Sequence, residues 1–349
     1  MAKLTDLCDI QYGYAFDSAL FTDDCSYLQL VRIRDVKRGY SETFYNGDYP
    51  EEYVLSAGDL LIGMDGEFNI ARWKVDGALL NQRVCKITAK DNVDEEFLRF
   101  ALSKALKAIE ERTSFATVKH LSAKELNKLE IAVPSYGEQK NKSEILRRLE
   151  RIIKLRQNEL NSLDNLIKAR FVEMFGDVVL NTKNWENYTW DNVLTIKNGK
   201  NQKDVENPKG IYPICGSGGI MNYADDYITE SNSVIIGRKG NINNPILMRE
   251  KFWNVDTAFG LEPNTTVLNV DYLFMFCNFF DFEILNKAVT IPSLTKADLL
   301  KIIIPIPPIE LQERFADFVA QVDKSKVVVQ KALDEAQILF DSLMQEYFG

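Results

Sequence analysis

A chain of 349 residues, 46% hydrophobic and 27% charged, can bury two or three cores and has the composition of neither a fibre nor a disordered segment. Its net charge of -9 counts against a uniformly basic nucleic-acid binder, although net charge is only an average over a surface that can be basic locally. Cys8, Cys25, Cys85, Cys215 and Cys277 stand without CxxC spacing, and the single His120 has no second histidine near it, so no zinc site, disulfide framework or histidine-based catalysis is signalled.

In chain order, residues 1–136 read as a globular α/β piece. It opens with DLCDIQYG, ending at Gly13, and carries an apolar strand, Leu60-Leu61-Ile62, that enters the turn Gly63-Met64-Asp65-Gly66. It closes with LSAKELNKLEIAVP, a short helical segment followed by an apolar strand. The start of the chain lacks the basic-then-apolar pattern of a secretory signal, and the most apolar run, YLFMFCNFF from Tyr272, is too short to span a bilayer. A cytoplasmic protein without membrane contact is expected.

Residues 137–176 follow as a helix with a heptad rhythm at Leu146, Leu149, Ile153, Arg156, Leu160, Leu163, Ile167, Arg170 and Met174. Residues 177–309 repeat the frame of the first piece. NVLTIKNG ends at Gly199, Val234-Ile235-Ile236 enters Gly237-Arg238-Lys239-Gly240, and LTKADLLKIIIPIP closes the piece. Residues 310–349 form a second heptad helix through Val319, Val322, Lys326, Val329, Leu333, Ala336, Phe340, Leu343 and Tyr347. Pro134, and the pair Pro307 and Pro308, mark where the helices can begin.

The two helices are one unit written twice. At a fixed offset of 173 positions, Pro134 and Gln139 match Pro307 and Gln312, while Glu173, Phe175 and Gly176 match Glu346, Phe348 and Gly349. The register holds from Thr117 through Gly176. Residues 137–176 carry nine Lys/Arg against six Asp/Glu, and residues 310–349 four against eight, so opposite charge favours their pairing. A helix of about 35 residues is roughly 50 Å long, and antiparallel packing of two such helices would place similar globular pieces at opposite ends. The alternative is that each helix only covers its own piece. The expected fold is α+β: two similar mixed α/β domains, a pseudo-twofold internal repeat, and two long antiparallel coiled-coil helices between them.

With these phrases in place, the chain resembles the specificity (S) subunits of type I restriction-modification enzymes. The resemblance covers the whole length and rests on LSAKELNKLEIAVPSYGEQ and LTKADLLKIIIPIPPIELQ, each leading into a helix ending in MFG or YFG, and on YPICGSGGI and IIGRKGNI in the second piece. It implies two target recognition domains, each reading one half of a bipartite double-stranded DNA site, with the helices setting the spacing and docking two modification (methyltransferase) subunits. Restriction subunits would join for cleavage. The subunit itself would hold no catalytic site and no cofactor, S-adenosylmethionine, ATP and Mg belonging to the partners. The first piece departs from the pattern, with YLQLVRIRDV in place of YPICGSGG and GMDGE in place of GRKGN.

Local charge supplies candidate DNA contacts. In the first piece these are Arg32, Arg34, Lys37 and Arg38, with Arg72 and Lys74 after the first GxxG turn. In the second they are Lys197, Lys200 and Lys203, the turn residues Ser217 and Gly218, and Arg238, Lys239, Asn241 and Asn243. Lys and Arg neutralise phosphates, whereas Arg opposite guanine and Asn or Gln opposite adenine distinguish bases in the major groove. Leu146, Leu149, Ile153, Leu160, Leu163 and Ile167, with Val319, Val322, Val329, Leu333, Phe340 and Leu343, form the expected spacer seam. An enzyme is disfavoured: Asn207-Pro208-Lys209 lacks the rest of a methyltransferase motif, and Glu138-Gln139-Lys140 sits at a helix start, where an acid suits the dipole. The rival reading is a scaffold with two protein-binding domains on a coiled coil, which leaves the basic runs without a purpose.

Overall fold

The structure, a computed structural model, describes residues 1–112, 119–288 and 290–349; Thr117, where the repeat register starts, lies outside them. The heptad segments are two helices of 40 residues, Tyr136–Phe175 and Ile309–Phe348. Each starts one residue earlier than expected. At the first, the Glu138 carboxylate accepts the Ser135 hydroxyl at 2.6 Å and the Ser135 amide at 3.0 Å, which closes the free end of the helix. Those two bonds hold the Glu138 carboxyl below the usual carboxylate range.

The chain divides into two compact units, Met1–Leu155 with Leu333–Gly349, and Arg156–Ala332. Each unit therefore holds the start of one long helix and the end of the other. The heptad seam faces inward throughout: Leu146, Leu149, Leu160, Ile167, Val319, Val322 and Val329 are buried, and Ile153, Leu163, Leu333, Phe340 and Leu343 are half-buried. In the second unit the helices run antiparallel, since Asp164 bonds Lys326 at 2.7 Å, Arg170 lies over Phe318 and Phe171 meets Phe315. Lys326 is a charged exception in the seam, and Asp164 on the facing helix is its answer. Arg156 with Glu159 and Arg170 with Glu173 pair instead along the central helix.

Each unit is built on the same four-stranded antiparallel sheet. In the first the order is Cys8–Tyr12, Val84–Ala89, Leu60–Gly63, Ile70–Arg72. In the second it is Leu194–Asn198, Ala258–Pro263, Ser233–Gly237, Ile246–Met248. The apolar runs before both GxxG turns are thus central strands buried on both faces, which is why they read as continuous hydrophobic segments rather than alternating ones. A two-stranded ribbon, Ala2–Lys3 with Glu130–Ile131 or Glu186–Thr189 with Ile303–Ile306, closes each frame. The second sheets differ. The first unit has five short strands and the second has three, but each contains one parallel pair, Leu30 with Leu79 or Ile214 with Trp253.

The repeated glutamines explain themselves in this frame. Gln139 and Gln312 are buried, and each amide makes three bonds to backbone. Gln312 donates to the carbonyls of Pro307 at 2.8 Å and Val267 at 3.0 Å and accepts the Asn269 amide at 2.9 Å. Gln139 donates to Pro134 and Asn92 and accepts the Asp94 amide. Each clamp ties the first turn of a long helix to the start of the domain helix, Glu95–Arg112 or Val270–Phe279. The other helix end is held by aromatics: Phe348 on Phe97 and Phe340 near Phe100 in the first unit, Phe171 and Phe175 on Tyr272 and Phe315 in the second.

Cys8, Cys85 and Cys215 are buried, and burial pushes each thiol up to about 12; Cys25 alone is exposed, and no two cysteines are joined. Among the described residues no helix is long and apolar enough to cross a membrane. Replacing Gln312 by Ala strands the buried Pro307 carbonyl and the partly buried Val267 carbonyl and Asn269 amide, so Gln312→Ala is expected to lower unfolding free energy by about 2–4 kcal/mol in urea melts. A loss below 0.5 kcal/mol would mean that water repairs the clamp.

Candidate nucleic-acid interface

At one end of each four-stranded sheet three loops meet, and the same backbone bonds join them in both units. Met64 N–H donates to Arg83 O at 2.9 Å, Leu121 N–H to Met64 O at 2.7 Å and Gly66 N–H to Lys119 O at 2.9 Å. Their counterparts are Arg238 to Thr257 O at 2.7 Å, Leu294 to Arg238 O at 2.9 Å and Gly240 to Pro292 O at 3.0 Å. Gly13 and Gly199 sit beneath this junction. A Cβ on either would stand 2.0 Å from Asn81 O or 1.8 Å from Val255 O, so only glycine lets the chain pass. These contacts equate Met64 with Arg238, Asp65 with Lys239, His120 with Ser293, Asn81 with Val255 and Arg83 with Thr257.

A fourth loop follows the parallel pair of the second sheet. Ile33 and Ser217 both press against the last glycine of the central strand, since a Cβ on Gly63 would lie 3.1 Å from the Ile33 side chain and one on Gly237 would lie 3.1 Å from Ser217. Arg32 and Arg34 therefore occupy the places of Gly216 and Gly218. Buried Asp35 sets that turn by accepting the Arg32 amide at 3.0 Å and the Ser41 hydroxyl at 2.9 Å, with Ile33 turned inward and both arginines outward. In the second unit Ser217-Gly218 is the exposed tip of a hairpin between Tyr212–Gly216 and Gly219–Ala224.

The same junction of turns is thus built twice on the same kind of sheet, with different side chains. The family model described as "Type I restriction modification DNA specificity domain" matches residues 1–165 and 182–336. The chain belongs to this family. A stretch of 139 residues is 42% identical to the type I restriction enzyme EcoBI specificity subunit of Escherichia coli, covering 40% of this chain and 29% of that protein. The chain thus aligns with under a third of that curated relative. The fold is also that of the S subunit of a type I restriction-modification system from M. genitalium, at TM-score 0.66 and 17% identity over 99% of this chain and 95% of that one. A structure described as the basis of complex assembly and conformational transition of the type I R-M system aligns at TM-score 0.56 and 18% identity, over 99% and 96%.

Within this specificity-domain chain the candidate contacts fall into three groups. Arg32, Arg34, Ser217, Gly218, Arg238, Lys239 and Asn241 lie at the two loop junctions. Arg238 has a guanidinium nitrogen 3.3 Å from Asp256 O and its charge 5.9 Å above the Phe259 ring, while Lys239 is exposed. Lys37, Arg38 and Lys74 form a neighbouring patch, in which Lys74 donates to Arg38 O at 2.6 Å and Arg38 faces Glu42 at 3.4 Å. Lys200 and Lys203 are exposed on the segment after Gly199, and Lys197 pairs with Glu262 at 3.4 Å.

Two candidates have internal tasks instead. Arg72 lies at the opposite end of its strand pair from the junction, level with Leu60, and is gripped by Glu96 at 2.5 Å and Glu95 at 2.8 Å. Those carboxylates lie on a helix more than twenty residues away in sequence, so a local charge count missed them. Asn243 spends its amide on Asp281 and its carbonyl on the Phe282 amide, both at 2.7 Å. Conversely, charge counting overlooked Arg83, the only cation in its own stretch, because its neighbours at the junction come from two distant loops. The GMDGE departure was the available signal, since a junction losing cations from one loop can regain one from another.

Because Gly199 has no room for a methyl group, Gly199→Ala is expected to cost about 3 kcal/mol of stability. Gly240→Ala, at φ +77 but in open space, should cost only about 1 kcal/mol. Equal losses in chemical denaturation would show that the Gly199 passage can widen.

Proposed function

We propose that this chain is the DNA-specificity subunit of a type I restriction-modification system, non-catalytic in itself, with each loop junction reading one half of a bipartite site. The observation that carries this reading is that the two junctions share backbone bonds while their exposed side chains differ. Shared bonds fix where a reader stands, and different side chains let two readers choose different bases. A plain scaffold gives no reason for cations to converge there. The likeness of both halves to the specificity domain supports the same conclusion.

We assign the two long helices the role of a coiled-coil spacer, with residues 137–176 and 310–349 separating recognition domains at 1–136 and 177–309. The continuous inward seam supports this. Their outward faces carry apolar side chains with no use in a lone helix pair: Ile145, Ile152, Ile338 and Leu339 in the first unit, and Leu166, Val327 and Val328 in the second. Two modification subunits would dock there, with restriction subunits joining them, in the cytoplasm. Residues 1–136 hold 17 Lys/Arg against 22 Asp/Glu and residues 177–309 hold 12 against 15, so much of the phosphate neutralisation would come from those partners.

Replacing Arg238 and Lys239 together by Ala should reduce specific DNA binding of the assembled complex by roughly 10- to 100-fold without releasing the modification subunits, read by gel shift beside size-exclusion chromatography. Unchanged affinity and site choice would remove these residues from the interface. Deleting one heptad from each helix in register should shorten the gap between half-sites by about 10 Å, or three base pairs, or abolish recognition. Sequencing of methylated sites decides this, and an unaltered gap would sink the spacer role.

A further inference from the structure

The two junctions carry their cations on different loops. In the second unit they are Arg238 and Lys239 on the GxxG turn, beside an equivalent turn, Val255-Asp256-Thr257, that carries an acid. In the first unit the GxxG turn carries the acid, Asp65, and the guanidinium is Arg83 on the turn Asn81-Gln82-Arg83. Acid and base have exchanged loops, yet each junction keeps a guanidinium on one of these two turns.

The side chain of Arg83 is poised rather than paired away. Its Nε lies 3.5 Å from Asp65 Oδ2, a bracing contact from the side that leaves half of the side chain exposed. His120 Nδ1 stands 2.5 Å from Asp65 Oδ1 and 3.4 Å from a terminal nitrogen of Arg83. In the tautomer whose Nδ1–H donates to Asp65, His120 offers no lone pair there to Arg83, so among the described residues both terminal nitrogens of the guanidinium remain donors for a ligand. Asp65 and His120 thus fix the direction of the fork without satisfying it. Gln82 beside it is exposed, whereas the side-chain Oδ1 of Asn81 accepts the Gln82 backbone N–H at 2.9 Å. Across a concavity of about 420 Å³ with Phe16 and Phe21 among its walls stand Arg32 and Arg34.

On the reading that this junction meets DNA, we propose that Arg83 is the specificity-determining residue of the first unit, its fork reading a guanine edge in the first half-site. Arg32 and Arg34 hold the flanking phosphates across the concavity. A braced, planar fork with two free donors matches the O6 and N7 acceptors of guanine, and restraint before binding lowers the cost of ordering it. Arg32 and Arg34 are exposed and lie away from the Asp65–His120 pair: Arg34 is 60% exposed, reaches Asp35 at 3.8 Å and donates to the Thr43 hydroxyl at 3.5 Å.

The test uses the full chain assembled with its modification subunits, offered a DNA library randomised in both half-sites, with bound and methylated molecules sequenced. Arg83→Ala is expected to weaken the cognate site by roughly 10- to 100-fold and to relax one guanine position in one half-site only. Arg83→Lys, which keeps the charge and loses the fork, should relax the same position. Arg32→Ala should weaken all sequences alike and reduce the salt slope by about one. If both Arg83 variants retained the guanine preference, or Arg83→Ala weakened all sequences equally, the assignment would be overturned. Failure of the unaltered complex to select any site would instead overturn the DNA-specificity reading on which it rests.

Discussion

The buried glutamine amide at the start of each long helix is the constraint on which the rest of the architecture depends. A 40-residue helix has no direction of its own relative to a sheet, and helices in water gain most of their stability from what they pack against. Gln139 and Gln312 supply direction by bonding simultaneously to the proline-bearing turn behind the helix and to the start of the domain helix beside it. No apolar residue could do this, because the backbone groups it meets cannot reach one another and would be buried unpaired. The aromatics at the opposite helix ends then finish the work by area and shape alone.

From that anchoring follows a division of labour between backbone and side chain. The loop junctions are held by main-chain bonds from Met64 and Arg238, Gly66 and Gly240, Leu121 and Leu294, none of which needs a particular side chain. The type restrictions fall on glycines: Gly13 and Gly199 pass beneath without room for a Cβ, Gly237 meets Asn241 O, and Gly66 and Gly240 turn at positive φ. A junction held this way tolerates Met-Asp in one unit and Arg-Lys in the other without losing its shape. Side chains facing out are then free to diverge, which is the condition for two similar domains to recognise different sequences.

The parts of this molecule that sequence made legible are those set by local pattern. The heptad positions are buried or half-buried along both long helices, and a period of three and four steps is written in one segment and needs no knowledge of the partner. The GxxG turns and the apolar strands before them were likewise local. The side-chain partners were not. Arg72 looked like a surface cation because Glu95 and Glu96 arrive from a helix that folds back across its strand. Asn243 looked like an adenine reader because Asp281 and Phe282 lie 38 and 39 residues on. His120, alone in the sequence and without a chemical signal of its own, bonds Asp65 across the junction. The difference between five and three strands in the second sheets was also hidden, since strands of two residues carry almost no period.

The acidic balance of the domains fits this picture when charge is treated as placement rather than sum. Several acids act as holders of cations: Asp65 braces Arg83, Asp35 sets the turn that points Arg32 and Arg34 outward, and Glu262 steadies Lys197. A cation so held loses part of its long-range pull on phosphate, because the neighbouring negative charge cancels its field within a Debye length. Its hydrogen-bonding face survives, because that depends on direction and contact. On the proposed DNA-reading function, the consequence would be weak attraction to arbitrary DNA combined with undiminished discrimination at contact, and it is the ratio of specific to non-specific binding, rather than total affinity, that lets a reader find one site among many. On the same proposal, partner subunits would add non-specific attraction without altering which bases are chosen.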